Sequence, residues 1–318
     1  MKIDKLEFKN NAVLAPLAGY SDLPFRLICQ QFHAGLTHTE MISAKALSYN
    51  DKKSLQYLKS NSEEKNLAVQ IFGSDPKIIG DIIERHLNEL KYIKLIDINF
   101  GCPAPKIVKN NEGSALLKDM KLSDRIINEA VKKSKVPVTI KMRIGIESFK
   151  DYIGFAKMAE NAGAKAITVH GRTREQYYKG RANKRAIKEI VESVNIPVIG
   201  NGDVFCAKDY FEMIDQTNCA GVAIARGAIG NPFIFEEIYC AINNLDYTKA
   251  NGEKIFKTIK KQMLLGVDLK GEKRAVLEMR KHIQQYIKSM PGSAEIKNEL
   301  NLYITANEVL KLLENYLL

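Results

Sequence analysis

No stretch of the 318-residue chain approaches the roughly 18 uninterrupted apolar residues that a membrane-spanning helix needs. The most apolar runs are broken by Gly, Asn or Arg. The opening MKIDKLEFKNN has no apolar core after its first lysine, so it does not read as a secretory leader. Proline and glycine number nine and 20, too few for a fibrous or disordered chain. The five cysteines (Cys29, Cys102, Cys206, Cys219 and Cys240) are odd in number and contain no C-x-x-C pair. That excludes a disulfide framework and a zinc site, predicts no metal, and places the chain in a reducing cytoplasm. Acidic residues are in the minority, 37 against 48 Lys and Arg, for a net charge of +11. Such an excess favours a polyanionic partner, with a generally lysine-rich composition as the plainer alternative.

Short apolar runs recur along the first three-quarters of the chain. They are Ala12–Ala18, Leu36–Met41, Leu67–Phe72, Leu95–Phe100, Val136–Ile144, Ala166–His170, Ile196–Gly200 and Gly221–Ala225. Their starts are 24 to 41 residues apart, about one buried parallel strand plus a returning helix. The intervening segments have helical periodicity, and Asp22 before Pro24 and Asp75 before Pro76 read as helix starts. Eight βα units in succession predict an α/β fold of the (β/α)8 TIM-barrel class over residues 1–243. From residue 244 to 318 the pattern is helical throughout. It predicts a small all-α helical-bundle domain with stretches at Ile255–Leu265, Ala275–Met290, Ala294–Leu302 and Ala306–Leu317. Between Lys254 and Lys288 ten basic residues face three acidic ones, including Lys273, Arg274, Arg280, Lys281 and Lys288.

Alternation along each strand sorts side chains between the barrel lumen and the helix layer. In the fifth run Val138, Ile140 and Met142 share the helix-facing side, which sends Lys141 and Arg143 into the lumen. The same test turns Asp97 and Asn99 inward in the fourth run, Thr168 and His170 in the sixth, and Gln70 in the third. These polar groups sit near C-terminal strand ends, where barrels build their sites, and point to a polar cofactor or substrate. The last two runs end in Gly200-Asn201-Gly202-Asp203 and Ala225-Arg226-Gly227, small-residue turns suited to holding a phosphate. Cys102 lies between Gly101 and Pro103 at the end of the fourth run, at the head of the longest connection. A thiol near its usual pKa of about 8.5 can serve as a general acid, whereas Lys141 or Arg143 beside it would favour a nucleophilic thiolate. The residues leave both roles open.

The chain resembles the tRNA-dihydrouridine synthase family of bacterial type. The resemblance rests on Ala15-Pro16-Leu17-Ala18-Gly19-Tyr20-Ser21-Asp22, Val69-Gln70-Ile71-Phe72-Gly73 and Asp97-Ile98-Asn99-Phe100-Gly101-Cys102-Pro103. It continues through Lys141-Met142-Arg143, His170-Gly171-Arg172-Thr173, Asn201-Gly202-Asp203, Ala225-Arg226-Gly227 and Arg280-Lys281-His282. It implies a cytoplasmic flavin enzyme that holds FMN at the barrel mouth, takes electrons from NADPH or NADH, and reduces uridines of the tRNA D-loop. Pro16, Leu17 and Ala18 would lie against the flavin ring, Gln70 and Lys141 would bind its polar edge, and His170 would lie near the ring or ribityl chain. Asn201, Gly202, Asp203, Ala225 and Arg226 would hold the phosphate. Cys102 would protonate uracil C5, with Asn99 and Arg143 against the uracil edge, and Arg280, Lys281 and His282 would grip tRNA. No membrane, metal or obligate protein partner is implied. The chain departs from the family pattern where Ala225 stands in place of a glycine, and where Asn183 stands in place of an acidic residue. A dihydroorotate dehydrogenase barrel and a Schiff-base aldolase using Lys141 are the rival enzyme readings, and an RNA-binding protein is the non-enzyme one.

Overall fold

A computed structural model describes residues 1–146 and 151–318. Eight strands form the barrel: β1 (Ala12–Leu14), β2 (Leu36–His38), β3 (Leu67–Phe72), β4 (Ile93–Phe100), β5 (Val138–Arg143), β6 (Ile167–His170), β7 (Val198–Asn201) and β8 (Gly221–Ile224). All are parallel, each pairs with the next, and β8 closes onto β1 through Val222↔Ala12 and Ile224↔Leu14. Every apolar run of the sequence therefore overlaps one barrel strand, with β4 beginning two residues before its run and β7 ending one residue after. The second run is interrupted. It pairs over Leu36–His38, and Ile42–Ser43 then adds separately to Ile71 and Phe72. Between them the Glu40 carboxylate turns away to accept the Gly19 N–H.

Side-chain parity holds on both faces. Ile96, Ile98 and Phe100 are fully buried in the layer between sheet and helices, with Ile126, Ile127 and Phe155. The lumen side has its own apolar cluster of Val13, Ala15, Leu36, Ala68, Leu95, Ala166, Ile199 and Ala223. An N-terminal hairpin (Lys2–Ile3 with Leu6–Glu7) adds Ile3 and Phe8 to that cluster. The two plug the N-terminal end of the barrel, and each contributes about 1.5–3 kcal/mol of apolar burial. With that end filled, only the C-terminal end can open to a ligand.

Helix starts follow the local chemistry. Asp22 accepts from Phe25 N–H ahead of the Leu23–Gln31 helix, and Asp75 accepts from Lys77 and Ile78 N–H ahead of Pro76–Ile82. Asn183 does the same for Lys184–Val191, accepting from Ala186 N–H, so its place in the sequence is that of a helix cap. After the last barrel helix, Ile234–Ile242, come helices Gly252–Lys270, Glu272–Tyr286, Ser293–Glu299 and Ala306–Leu317. The first of these packs against the barrel helix Leu23–Gln31 and against Ala306–Leu317. Gly292, at φ 70°, makes the break after Pro291. Among the described residues no helix is long and apolar enough to cross a membrane.

Candidate active site

A cavity of about 540 Å³ opens at the C-terminal end of the barrel, within the ~300–1,000 Å³ range of cofactor and ligand pockets. It is lined by Pro16, Leu17, Ala18, Gln70, Asn99, Cys102, Lys141, Arg143, His170, Asn201, Gly202, Asp203, Ala225 and Arg226. The barrel residues that the sequence assigned to a cofactor or substrate therefore meet in one place, while the inward-turned Asp97 and Thr168 lie outside the lining. Strand register explains the convergence, since Gln70 lies beside Asp97, Asn99 beside Lys141, and Arg143 and Asn201 each beside His170.

A polar network runs across the lumen beneath the opening. Asp97 accepts from Gln70 Nε2 at 2.7 Å and from Thr139 Oγ1 at 2.7 Å, and Asn99 Nδ2 donates to Gln70 Oε1 at 2.9 Å. Asn99 Oδ1 in turn accepts the N–H groups of Gly101 (3.0 Å) and Cys102 (2.8 Å). Asn99 thus lines the cavity and also presents the cysteine loop, with one amide N–H on Gln70 and the other near Met41 Sδ at 3.8 Å. The Cys102 carbonyl accepts from Ser114 N (3.1 Å) and Oγ (2.8 Å). Gly113, at φ 60°, sits so close that a Cβ there would lie 2.9 Å from that carbonyl oxygen. The half-buried thiol thus has a fixed backbone, and burial pushes its pKa up, against smaller opposing effects that include Arg143 and Lys141. At neutral pH it is a thiol, not a thiolate.

Charge in the cavity is predominantly positive. Burial first, and then Arg143, lower the Lys141 ammonium from 10.5 to about 8. Its Nζ donates to Asn201 Oδ1 at 3.1 Å, and Asn201 Nδ2 donates to the Ala223 carbonyl at 2.7 Å. Burial, followed by the charges of Lys141, Arg143, Arg172 and Arg226, drives the His170 pKa far down, so its ring is neutral. Arg143 spends Nε on the Gly101 carbonyl (2.9 Å) and Nη1 on those of Thr173 (2.8 Å) and Tyr177 (3.0 Å). It therefore ties the loop after β4 to the loop after β6, a role that alternation along the strand does not reveal.

Sequence reasoning missed four further groups. Arg172, 1% exposed, pairs with Asp203 at 2.6 Å and donates to the carbonyls of Lys179 and Gly180. Asp203 also accepts from Ala182 N–H, so the loops after β6 and β7 are joined at this carboxylate. Tyr177, Tyr178 and Phe205 are 40%, 51% and 50% exposed at the rim, and the Arg226 guanidinium lies 4.5 Å from the Tyr178 centroid. Only Arg172 lay within a quoted motif; the aromatics sit in loops beyond the strand ends, where alternation no longer sorts side chains. Gly227 is a steric requirement, since a Cβ on it would stand 2.1 Å from the Val204 carbonyl oxygen.

The family model described as Dihydrouridine synthase (Dus) matches residues 13–318. The chain belongs to the dihydrouridine synthase family. It is 38% identical over 311 residues to a probable tRNA-dihydrouridine synthase of Rickettsia bellii, covering 95% of this chain and 93% of that one. It is 35% identical over 303 residues to tRNA-dihydrouridine synthase B of Pseudomonas aeruginosa, covering 95% and 91%. In fold it matches histamine dehydrogenase from Rhizobium sp. 4-9, with a TM-score of 0.58 and 13% identity over 83% of this chain and half of that one. As a dihydrouridine synthase family member the protein is a flavin-dependent oxidoreductase.

The cavity fits such a cofactor. Ala15, Pro16, Leu17, Ala18 and Ile229 give it an apolar wall for a flat ring system. Four cations stand against two carboxylates, Asp97 and Asp203, which leaves excess positive charge for a phosphate. Two of the three Lys141 N–H groups and one Gln70 N–H have no acceptor among the described residues.

In the helical segment the dihydrouridine synthase fold corrects the sequence reading. His282 is 3% exposed, takes a hydrogen bond from Gln262 Nε2 on Nδ1 (3.2 Å), and packs against Tyr20 and Phe25 at 5.1 Å. Burial lowers its pKa to about 4, so it is a neutral core residue and not a phosphate ligand. Arg280 is half-buried, donates to the Tyr303 carbonyl at 2.8 Å, and has its Nε buried without a partner among the described residues. Lys281 lies 5.0 Å from the Tyr20 centroid, against the loop that follows β1. Lys257, Lys260, Lys261, Lys273, Arg274 and Lys288 are the exposed cations between Lys254 and Lys288. Arg274 is held by Glu278 and Gln56. Cys29 and Cys219 are buried in the core, whereas Cys206 and Cys240 are half-buried.

Proposed function

We propose that the protein is a tRNA-dihydrouridine synthase that uses FMN and NADPH or NADH to reduce the C5–C6 bond of D-loop uridines, in the cytoplasm. The observation that carries this reading is the half-buried Cys102 thiol in the same cavity as Lys141, Arg226 and the small-residue turns after β7 and β8. Pro16, Leu17 and Ala18 hold the ring, Gln70 and Lys141 its polar edge, His170 the region of the ring and ribityl chain, and Asn201, Gly202, Asp203, Ala225 and Arg226 the phosphate. Bound there, FMN supplies the two-electron reduction, and the reduced nicotinamide restores it. Lys141 offers positive charge where negative charge gathers on the ring, which is stabilisation built in before the reaction begins.

Cys102 Sγ keeps its proton through neutral pH and gives it to uracil C5. Arg143 Nη2 has no partner among the described residues and is the group proposed for the uracil edge. Asn99 acts behind it by holding the cysteine loop. The target base must leave its stack to enter, which costs a few kcal/mol and is least costly in a loop. Residues 1–243 form the catalytic domain and residues 244–318 a tRNA-binding domain. Lys273 and Lys288 on the helices, with Lys106 and Lys109 beside the cysteine loop, are exposed to meet phosphates.

Purified protein is expected to release FMN on denaturation and to form dihydrouridine in tRNA lacking it, read by mass spectrometry of nucleosides. Cys102→Ala should retain flavin and tRNA binding while losing about 10²–10⁴ in product formation, the usual worth of a positioned acid. Full product yield from that variant would reject the proton-donor role.

A further inference from the structure

Three consecutive carbonyls around the thiol each have a donor. Gly101 O takes Arg143 Nε at 2.9 Å, Cys102 O takes Ser114 Oγ at 2.8 Å, and Pro103 O takes the Tyr177 hydroxyl at 2.8 Å. The first two donors are buried residues, with Arg143 3% and Ser114 0% exposed, whereas Tyr177 is 40% exposed at the cavity rim. Tyr177 also has φ 48°, the left-handed region that side-chain-bearing residues rarely enter. Such a conformation persists only where surroundings fix it. Here its carbonyl accepts from Arg143 Nη1 (3.0 Å), its N–H donates to the Arg174 carbonyl (3.0 Å), and its hydroxyl reaches across the mouth. Arg143 therefore anchors both ends of a bridge from the loop after β6 to the loop that bears Cys102.

The geometry points to Tyr177 as a positioning residue for the proton donor. Its hydroxyl is a clasp that holds the Cys102 loop in register over the cavity. The role rests on Cys102 being the acid of the proposed reaction. The clasp is the one solvent-facing member of the three. It is the bond an arriving nucleotide can disturb and re-form, while Arg143 and Ser114 hold the backbone from beneath. Tyr177 touches no reacting atom in this account and acts through Pro103 on the thiol beside it.

Tyr177→Phe keeps the ring and removes only the donor. A single neutral hydrogen bond shifts a local equilibrium by about threefold to tenfold. The kcat on tRNA should fall by about that factor with KM unchanged, and the solvent deuterium isotope effect on kcat should rise as proton delivery becomes slower. Carbamidomethylation of Cys102 in the free enzyme, followed by peptide mass spectrometry, should speed up by a similar factor as the loop loosens. Unchanged kcat, isotope effect and alkylation rate would overturn the clasp. A rise in KM alone would overturn it as well, by making Tyr177 a tRNA contact. Wild-type protein that forms no dihydrouridine would overturn the reading of the site itself, and the alkylation rate would then decide whether Tyr177 holds the loop.

Discussion

Replacing Lys141 with methionine should make the cofactor-free protein's stability depend on pH in a way that can be worked out in advance. In the folded chain the ammonium loses its proton at about 8, and in the unfolded chain at 10.5. Between those values the unfolded state binds more protons, so folding becomes more favourable as pH rises through the window. At pH 7 the folded protein keeps a charge it holds poorly. By pH 10 it has released most of that cost, and integration over the window gives about 2.5 kcal/mol. Lys141→Met has no such charge. The variant's stability relative to wild type should therefore drop by about 2.5 kcal/mol between pH 7 and pH 10. The lost bond to Asn201 enters as an offset that is nearly the same at both ends. Urea unfolding of both proteins stripped of flavin, at half-unit steps of pH, reads the difference directly. A flat difference would refute the placement of a charged lysine in a confined, positively charged cavity. The same titration removes the ring-facing charge above about pH 8. Flavin anion stabilisation should weaken there unless the bound phosphate holds the proton on.

Other perturbations give sharper local outcomes. Arg172→Met leaves Asp203 with Arg226 at 3.4 Å and Ala182 N–H alone, and strips the donor from two loop carbonyls. Asp203 is 28% exposed, so the loss should be about 3 kcal/mol, the low end for a broken buried pair, seen as a lower urea midpoint with unchanged slope. Arg172→Lys should not restore it, because an ammonium cannot reproduce the fork; an unchanged midpoint in either variant contradicts the pairing. Gly227→Ala places a methyl group 2.1 Å from a backbone oxygen that cannot retreat, and should cost about 1–3 kcal/mol together with displacement of Arg226. Its measure is flavin absorbance per protein after gel filtration, and a full flavin complement would show that the cradle tolerates the shift.

The barrel was legible because two independent periodicities agreed. Repeats of about 30 residues gave the units, and alternation within each run gave the face. Lys141 and Arg143 could be turned inward from Val138, Ile140 and Met142 alone, since an apolar face must meet the helices. Alternation could not say what an inward group touches. Asn99 faces the lumen as expected, yet its amide also bonds Gln70 and two backbone N–H groups, partners that alternation does not name. The helical segment was read least well, for a geometric reason. Arg280, Lys281 and His282 are consecutive on a helix, so they point about 100° apart and cannot share one surface. One of them had to face inward, and burial chose the imidazole, whose neutral form costs least to desolvate. Tyr177 carried no signal at all, because its conformation is set by a partner 34 residues earlier, Arg143, that no local pattern names.

Tyr20 forms part of the cavity wall, lies under the Lys281 ammonium and meets the edge of His282, while its neighbour Gly19 is held by Glu40. The helical tail and the rim of the barrel thus share a joint. Exchanging the helices after residue 243 for foreign ones would carry a mismatched bearing into the wall of the cavity. Such chimeras would need residues 17–21 and Glu40 to travel with the new helices.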